Sequence, residues 1–132
     1  MVGFIDEARE LEEQVIRIGP RDPSIGNFYL RLGAIHLLQS RTDEATGWFE
    51  KARSASPGLS YIHAHLAAAY ALKGEIERAE TSLAEARRLS GDYRYSSITG
   101  LKAAVDFGVP KVRALYDATY LAGLRKAGVP EK

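Results

Sequence analysis

Bulky, small and polar residues recur along this chain at a spacing of 34 positions. Laying residues 26–59 over residues 60–93 puts Tyr29, Leu32, Gly33 and His36 on His63, Leu66, Ala67 and Tyr70. Ala45, Phe49 and Ala52 fall on Ala79, Leu83 and Ala86, so bulky meets bulky and small meets small without a gap. In each unit the first four residues sit at i, i+3, i+4 and i+7, one face of a helix. The last three sit at i, i+4 and i+7, a second helix, and polar stretches ("LLQSRTDEA" and "LKGEIERA") separate the two. Gly74 suits the left-handed stop of a first helix, and Ser40 holds the equivalent place as a poorer stop. Thr42, with Asp43 and Glu44, suits the start of the next helix by capping and by charge on its N-terminal dipole. Each unit therefore reads as a helix–turn–helix hairpin. Gly33 and the alanines mark where two helix axes must come close.

Residues 3–20, "GFIDEARELEEQVIRIGP", read as the second half of another such unit. Gly3 takes the turn position, Ala8 and Val15 the small positions, Glu12 the bulky slot and Pro20 the close. A missing first helix would leave an apolar face open, so the chain is expected to be the C-terminal piece of a longer protein. Beyond residue 93 the repeat ends. Ser96 or Ser97 can cap a short helix over "SSITGLKAAV". After the break "DFGVP", Pro110 can open a further helix, with Val112, Leu115, Tyr116, Thr119, Tyr120 and Leu124 on one face. Gly128 and Pro130 stop it, and such helices would cap the open side of the last unit.

The pattern Tyr29, Leu32, Gly33, His36, Ala45, Phe49, Ala52, Pro57, with its echo at His63, Leu66, Ala67, Tyr70, Gly74, Ala79, Leu83 and Ala86, resembles the tetratricopeptide repeat. His36 stands for the usual aromatic, Ser40 for the turn glycine and Gly91 for the closing proline. The resemblance implies an all-α fold: a right-handed superhelix of hairpins forming a single domain over 1–132. Its parts would be a half repeat at 1–20, repeats at 26–59 and 60–93, and capping helices at 94–132. Together, "RDPSIGNFY", "YIHAHLAAAYALKGEIERAE" and "VRALYDATYLAGLRKAGVPE" resemble the repeat region at the C-terminus of bacterial multidomain regulators. Those carry an adenylate/guanylate cyclase or a winged-helix domain, and no sequence of either kind lies within this chain.

In that family the first helices line a concave groove. The corresponding positions here are Asn27, Leu30, Arg31, Ala34 and Leu38, then Tyr61, Ala64, His65, Ala68 and Leu72. The set is mostly small and apolar, and it lacks the lysines and asparagines with which some relatives clamp a peptide carboxylate, since Leu30 and Ala34 stand at the first such pair. It suits a helix or an extended protein segment, from a partner or from the same chain, and the chain's own C-terminal helix is one candidate occupant. The expected function is a non-catalytic protein-interaction and regulatory module in a signalling protein. A homodimer through the N-terminal edge, or a structural spacer without a peptide ligand, is the alternative; a small helical enzyme or ligand-binding protein is a further one.

Composition narrows the chemistry. The chain has 132 residues, 45% hydrophobic and 27% charged, ordinary for a globular protein. Its 18 basic and 17 acidic residues nearly cancel, so there is no basic excess to point to nucleic acid. With no cysteine, disulfides, thiol catalysis and cysteine zinc sites are excluded. No apolar run approaches the roughly 18 residues that span a bilayer, and the acidic N-terminus is unlike a signal peptide, so a cytoplasmic location is expected. His63 and His65 project about 200° apart on a helix, unlike the i, i+4 pair that binds zinc. His63 falls at a packing position and His65 towards the groove. No phosphate loop, nucleophile elbow or H-E-x-x-H occurs, and the carboxylate runs read as solvated helix faces. No catalytic, metal or cofactor site is expected.

Overall fold

The computed structural model of the chain describes residues 2–91 and 94–132; Tyr93, the expected last residue of the second unit, lies outside the described residues. The described residues are helical with no strand. In chain order the helices are α1 (Val2–Ile18), α2 (Ile25–Leu38), α3 (Thr42–Ala55), α4 (Ser60–Leu72), α5 (Ile76–Ser90) and α6 (Ile98–Ala104). Then α7 (Pro110–Tyr116), a π-helical turn (Asp117–Leu121) and α8 (Ala122–Ala127) run on from one another as the C-terminal helix.

Two antiparallel hairpins, α2–α3 and α4–α5, repeat their geometry at the offset of 34 residues. Both first helices end on the same motif. The Ser40 amide donates to Leu37 O (2.9 Å) and the Arg41 amide to His36 O (2.9 Å). Their counterparts are Gly74 to Ala71 O (3.0 Å) and Glu75 to Tyr70 O (2.9 Å). These paired bonds satisfy carbonyls that the helix end would leave bare, and they require a left-handed residue. Gly74 supplies it at φ 83°, and Ser40 adopts it at φ 62° in spite of its Cβ.

Inside the first hairpin α2 and α3 touch at Gly33. A Cβ built there would lie 2.5 Å from Cδ1 of the fully buried Phe49, so no side chain fits. The main core continues through Ala45, Ala52, Ile62, Leu66, Ala67, Ala79, Leu83 and Ala86, all nearly or wholly buried. Burying such side chains at roughly 25 cal/mol per Å2 is the main force holding the hairpins together.

Three expectations about helix starts and phase are corrected. Thr42 does not cap α3: the N-cap is Arg41, no side chain caps the end, and Asp43 and Glu44 contribute charge alone. Gly3 lies within α1 and not in a turn. The bulky slot of α1 is filled by Leu11 (3% exposed), while Glu12 is exposed. Leu11 forms a second cluster with Leu32 and Ile35, and Phe4, Ala8, Val15, Phe28 and Trp48 close around it. Burial, not the spacing of small residues, sets the phase of α1: Leu11 offers far more apolar surface to α2 than a glutamate could without desolvating its charge.

The C-terminal segment is tied at both ends. Ser97 caps α6, its Oγ accepting from the Gly100 amide at 2.9 Å. The next two orphan donors of α6 go to the chain's own tail, Ile98 N–H to Pro130 O (2.8 Å) and Thr99 N–H to Glu131 O (2.9 Å). Arg125 bridges Glu131 and Asp117, and Lys102 reaches Asp117 at 3.5 Å, an exposed network of modest worth. No helix among the described residues is long and apolar enough to cross a membrane.

Candidate functional site

Positions read as groove-lining lie on α2 and α4, whose facing sides are joined by a hydrogen bond at equivalent positions. The Tyr61 hydroxyl donates to Asn27 Oδ1 at 2.8 Å, exactly one repeat apart in sequence. On α2, Asn27 and Arg31 are exposed, Leu30 and Ala34 are half-buried, and Leu38 is buried. Arg31 turns towards α1, with its guanidinium 3.8 Å from Glu7. On α4, Ala64 and Ala68 have no exposed surface, and Tyr61, His65 and Leu72 are half-buried.

What covers the α4 positions is the chain's own C-terminal helix. A Cβ on Gly123 would come within 2.8 Å of the carbonyl carbon of Ala68 and closer still to its oxygen. Helices approach this closely only where one of them presents glycine. One turn earlier the His65 ring stacks on Tyr120, centroids 4.3 Å apart and planes 25° from parallel; the Phe49 ring packs against it, tilted by 56°, at 5.3 Å. Leu121 and Leu124 complete the seam at 1% and 0% exposure. Leu121 is absent from the face expected from sequence. The π turn brings it in, because a widened turn advances each residue by a smaller angle and holds Tyr120 and Leu121 on the buried side together. Thr119, in the same turn, returns its hydroxyl to Leu115 O at 2.7 Å.

The histidines play separate parts. His63 is 7% exposed and its Nε2 donates to Pro57 O at 2.7 Å, a satisfied packing residue. His65 donates from Nδ1 to Tyr61 O at 2.6 Å, which leaves Nε2 as the bare acceptor of a neutral ring. Burial holds the His65 pKa down at about 4, against a smaller opposing pull from that hydrogen bond. The ring is therefore uncharged near neutrality. His36 also has its pKa lowered, chiefly by burial and secondarily by Arg41, and its Nδ1 finds no partner.

Between α4, the 94–95 segment, the end of α6 and the C-terminal helix lies a cavity of about 280 Å3. Tyr61, Tyr95, Phe107, Tyr116, Tyr120 and His65 wall it, with Leu101 and Val105 behind and Arg94 and Asp106 among the lining residues. Phe107 lies 4.9 Å from Tyr116 and 6.2 Å from Tyr120, so the rings pack as one aromatic cluster. Burial drives the pKa of Tyr120 well above its ordinary value and raises that of Tyr116. Both hydroxyls thus stay protonated, and neither has a hydrogen-bond partner among the described residues. Val105, Asp106 and Phe107 also border a wider cleft of about 840 Å3 that runs along α6 to Arg113 and Asp117. Of the cavity-lining residues, sequence reading placed Tyr61 and His65 at the groove and Tyr116 and Tyr120 on the apolar face of the C-terminal helix. The others come from segments that share no periodicity with α4, and no local pattern could have joined them to it.

Among the described residues no group of three or more histidine, aspartate or glutamate side chains could hold a metal ion. No family model matches the chain, and neither a curated protein nor a solved structure matches it.

Proposed function

We propose that this chain is a non-catalytic protein-interaction module of the tetratricopeptide type, a right-handed superhelix with a regulatory role in a signalling protein. Its groove is built to hold a helical segment. The observation that carries this reading is the contact of Gly123 with the Ala68 backbone. A row of small residues on α4 accepts a helix at near-backbone distance, here the chain's own. The repeated end motifs at Ser40 and Gly74 and the Asn27–Tyr61 bond between equivalent positions support the repeat assignment. Function then follows from exchange: a partner helix with a small residue facing Ala68 competes with the C-terminal helix for the same seat.

The test uses a Gly123→Val chain, in which the C-terminal helix is forced off its seat, and a synthetic peptide of residues 108–130. The peptide should bind the Gly123→Val chain saturably and bind the unsubstituted chain much more weakly. Failure to bind a Gly123→Val chain that keeps its helical circular dichroism would refute the reading. Adding Leu30→Glu, on the open side of α2, should weaken whatever binding remains.

Self-association is favoured by a separate observation on α1. Ile5 and Ile16 are 46% and 81% exposed on one side of that helix. In an antiparallel pair with its axis between residues 10 and 11, Ile5 of one copy would meet Ile16 of the other. Arg9 would meet Glu12 in the same arrangement, a self-complementary pattern suited to a twofold dimer. Sedimentation equilibrium of the parent and of Ile16→Glu separates the cases: a concentration-dependent dimer lost in the variant supports this reading, and a strict monomer refutes it.

A further inference from the structure

We propose that the cavity between α4 and the C-terminal helix binds one planar aromatic ring that carries an N–H or O–H donor, an indole or a phenol. The volume of about 280 Å3 exceeds the ~150 Å3 of an apolar cavity that takes up benzene, so a fused bicyclic ring fits. Its walls are mostly faces and edges of aromatic rings, which favour a flat π-system over an aliphatic guest. The polar residues lining it define the rest. His65 Nε2 is a pure acceptor because Nδ1 is already engaged with Tyr61 O, and the ring is neutral. The Tyr116 and Tyr120 hydroxyls also lack partners among the described residues. A guest that donates to the imidazole and meets the hydroxyls adds hydrogen bonds that these side chains do not make within the chain. Arg94 and Asp106 both line the cavity with opposite charge, so the site selects neither a cation nor an anion.

This proposal does not depend on the interaction reading above, because the cavity walls include the docked C-terminal helix as it stands. The ring has two possible sources, a free small molecule or a tryptophan or tyrosine side chain of a protein segment. Both present the same chemistry.

Calorimetric and NMR titrations of the full chain with indole, 1-methylindole and N-acetyltryptophanamide test it. Indole should bind saturably in the micromolar-to-millimolar range, with amide shifts concentrated at Tyr61, His65 and Tyr120. The His65 Nε2 resonance should move upfield as it accepts the indole hydrogen. 1-Methylindole, which has lost the donor, should bind about tenfold more weakly. In His65→Phe that preference should collapse to near parity while both rings still bind. If His65→Phe does not fold, the Nε2 shift in the unsubstituted chain decides the matter. N-acetyltryptophanamide binding as well as indole supports a side-chain guest; indole binding alone supports a free small molecule. Equal affinity for indole and 1-methylindole in the unsubstituted chain, an Nε2 resonance that does not move, or no saturable binding would overturn the proposal.

Discussion

Replacing Gly123 by alanine adds one methyl group where the C-terminal helix meets α4. That methyl would lie 2.8 Å from both Cα and the carbonyl carbon of Ala68, against an ordinary carbon–carbon contact of about 3.5–4.0 Å. The obstacle is backbone, which cannot swing aside, so the helix must retreat by roughly 1 Å. A gap of that size forfeits about a quarter to a half of each dispersion contact along the seam. Overpacking of this kind costs about 1–3 kcal/mol, while alanine for glycine within a helix returns about 1 kcal/mol. The net expectation is a loss of up to about 2 kcal/mol.

Gly47 provides the control. It lies within α3, and a Cβ there would meet nothing within 4 Å. Gly47→Ala should therefore gain about 0.5–1 kcal/mol through helix propensity and reduced freedom of the unfolded chain. The two variants should differ by about 0.5–3 kcal/mol, up to roughly 10 °C in melting temperature for a domain of this size. Urea unfolding followed by circular dichroism reads both. Equal stabilisation by Gly47→Ala and Gly123→Ala would mean that the C-terminal helix is not seated on Ala68, and the account of the covered groove would fall with it.

The remaining predictions rest on single side chains. His65 binds protons less readily when folded, its pKa moving from 6.5 to about 4, so lowering the pH favours the unfolded chain. Stability should fall by up to about 3 kcal/mol as the pH drops from near 6.5 to near 4, the lowered pKa of His36 adding in the same direction. In His65→Phe most of that slope should vanish, and urea midpoints that track the parent across this range would refute the assignment. Ser40→Gly should stabilise the chain by about 1 kcal/mol, because the left-handed φ of 62° strains any residue with a Cβ; no change in urea midpoint would count against strain there. His36→Tyr should also stabilise, by about 1 kcal/mol, since it removes the unpartnered Nδ1 and restores the residue found at Tyr70, whose hydroxyl donates to Glu50 at 2.7 Å. A lower melting temperature for that variant would show that the equivalence of the two positions does not extend to their surroundings.

Much of the local structure was legible because helices write their faces into short-range spacing. The offset of 34 located both hairpins, the paired stops at Ser40 and Gly74 and the close approach at Gly33, and the polar run after the repeat narrowed the cap to Ser96 or Ser97, of which the structure uses Ser97. Each of these depends on contacts within a hairpin or within one turn, where residue type and spacing suffice. The misread cap at Thr42 and the misread phase of α1 came from the same kind of rule where two answers were close. A threonine one residue inside the helix looks like a cap, and Leu11 and Glu12, consecutive in sequence but about 100° apart around the axis, are told apart only by burial.

Periodicity states which side of a helix is apolar; it does not state what covers that side. From sequence, Ala64, Ala68 and His65 read as a groove floor with the C-terminal helix as one candidate occupant among partner segments, and the tertiary structure placed that helix over them. That choice depends on the fit between Gly123 and Ala68, distant in sequence and related by no repeat, and on a π turn that aligns Tyr120 with Leu121. The covering helix is also what packs Tyr120 on His65 and forms one wall of the aromatic cavity, so the uncharged imidazole is a product of long-range packing. Sequence alone determined the helices and their stops, because backbone hydrogen bonding and side-chain spacing act over a few residues. The tertiary structure decided which faces were covered, because complementarity between distant surfaces leaves no period in the chain.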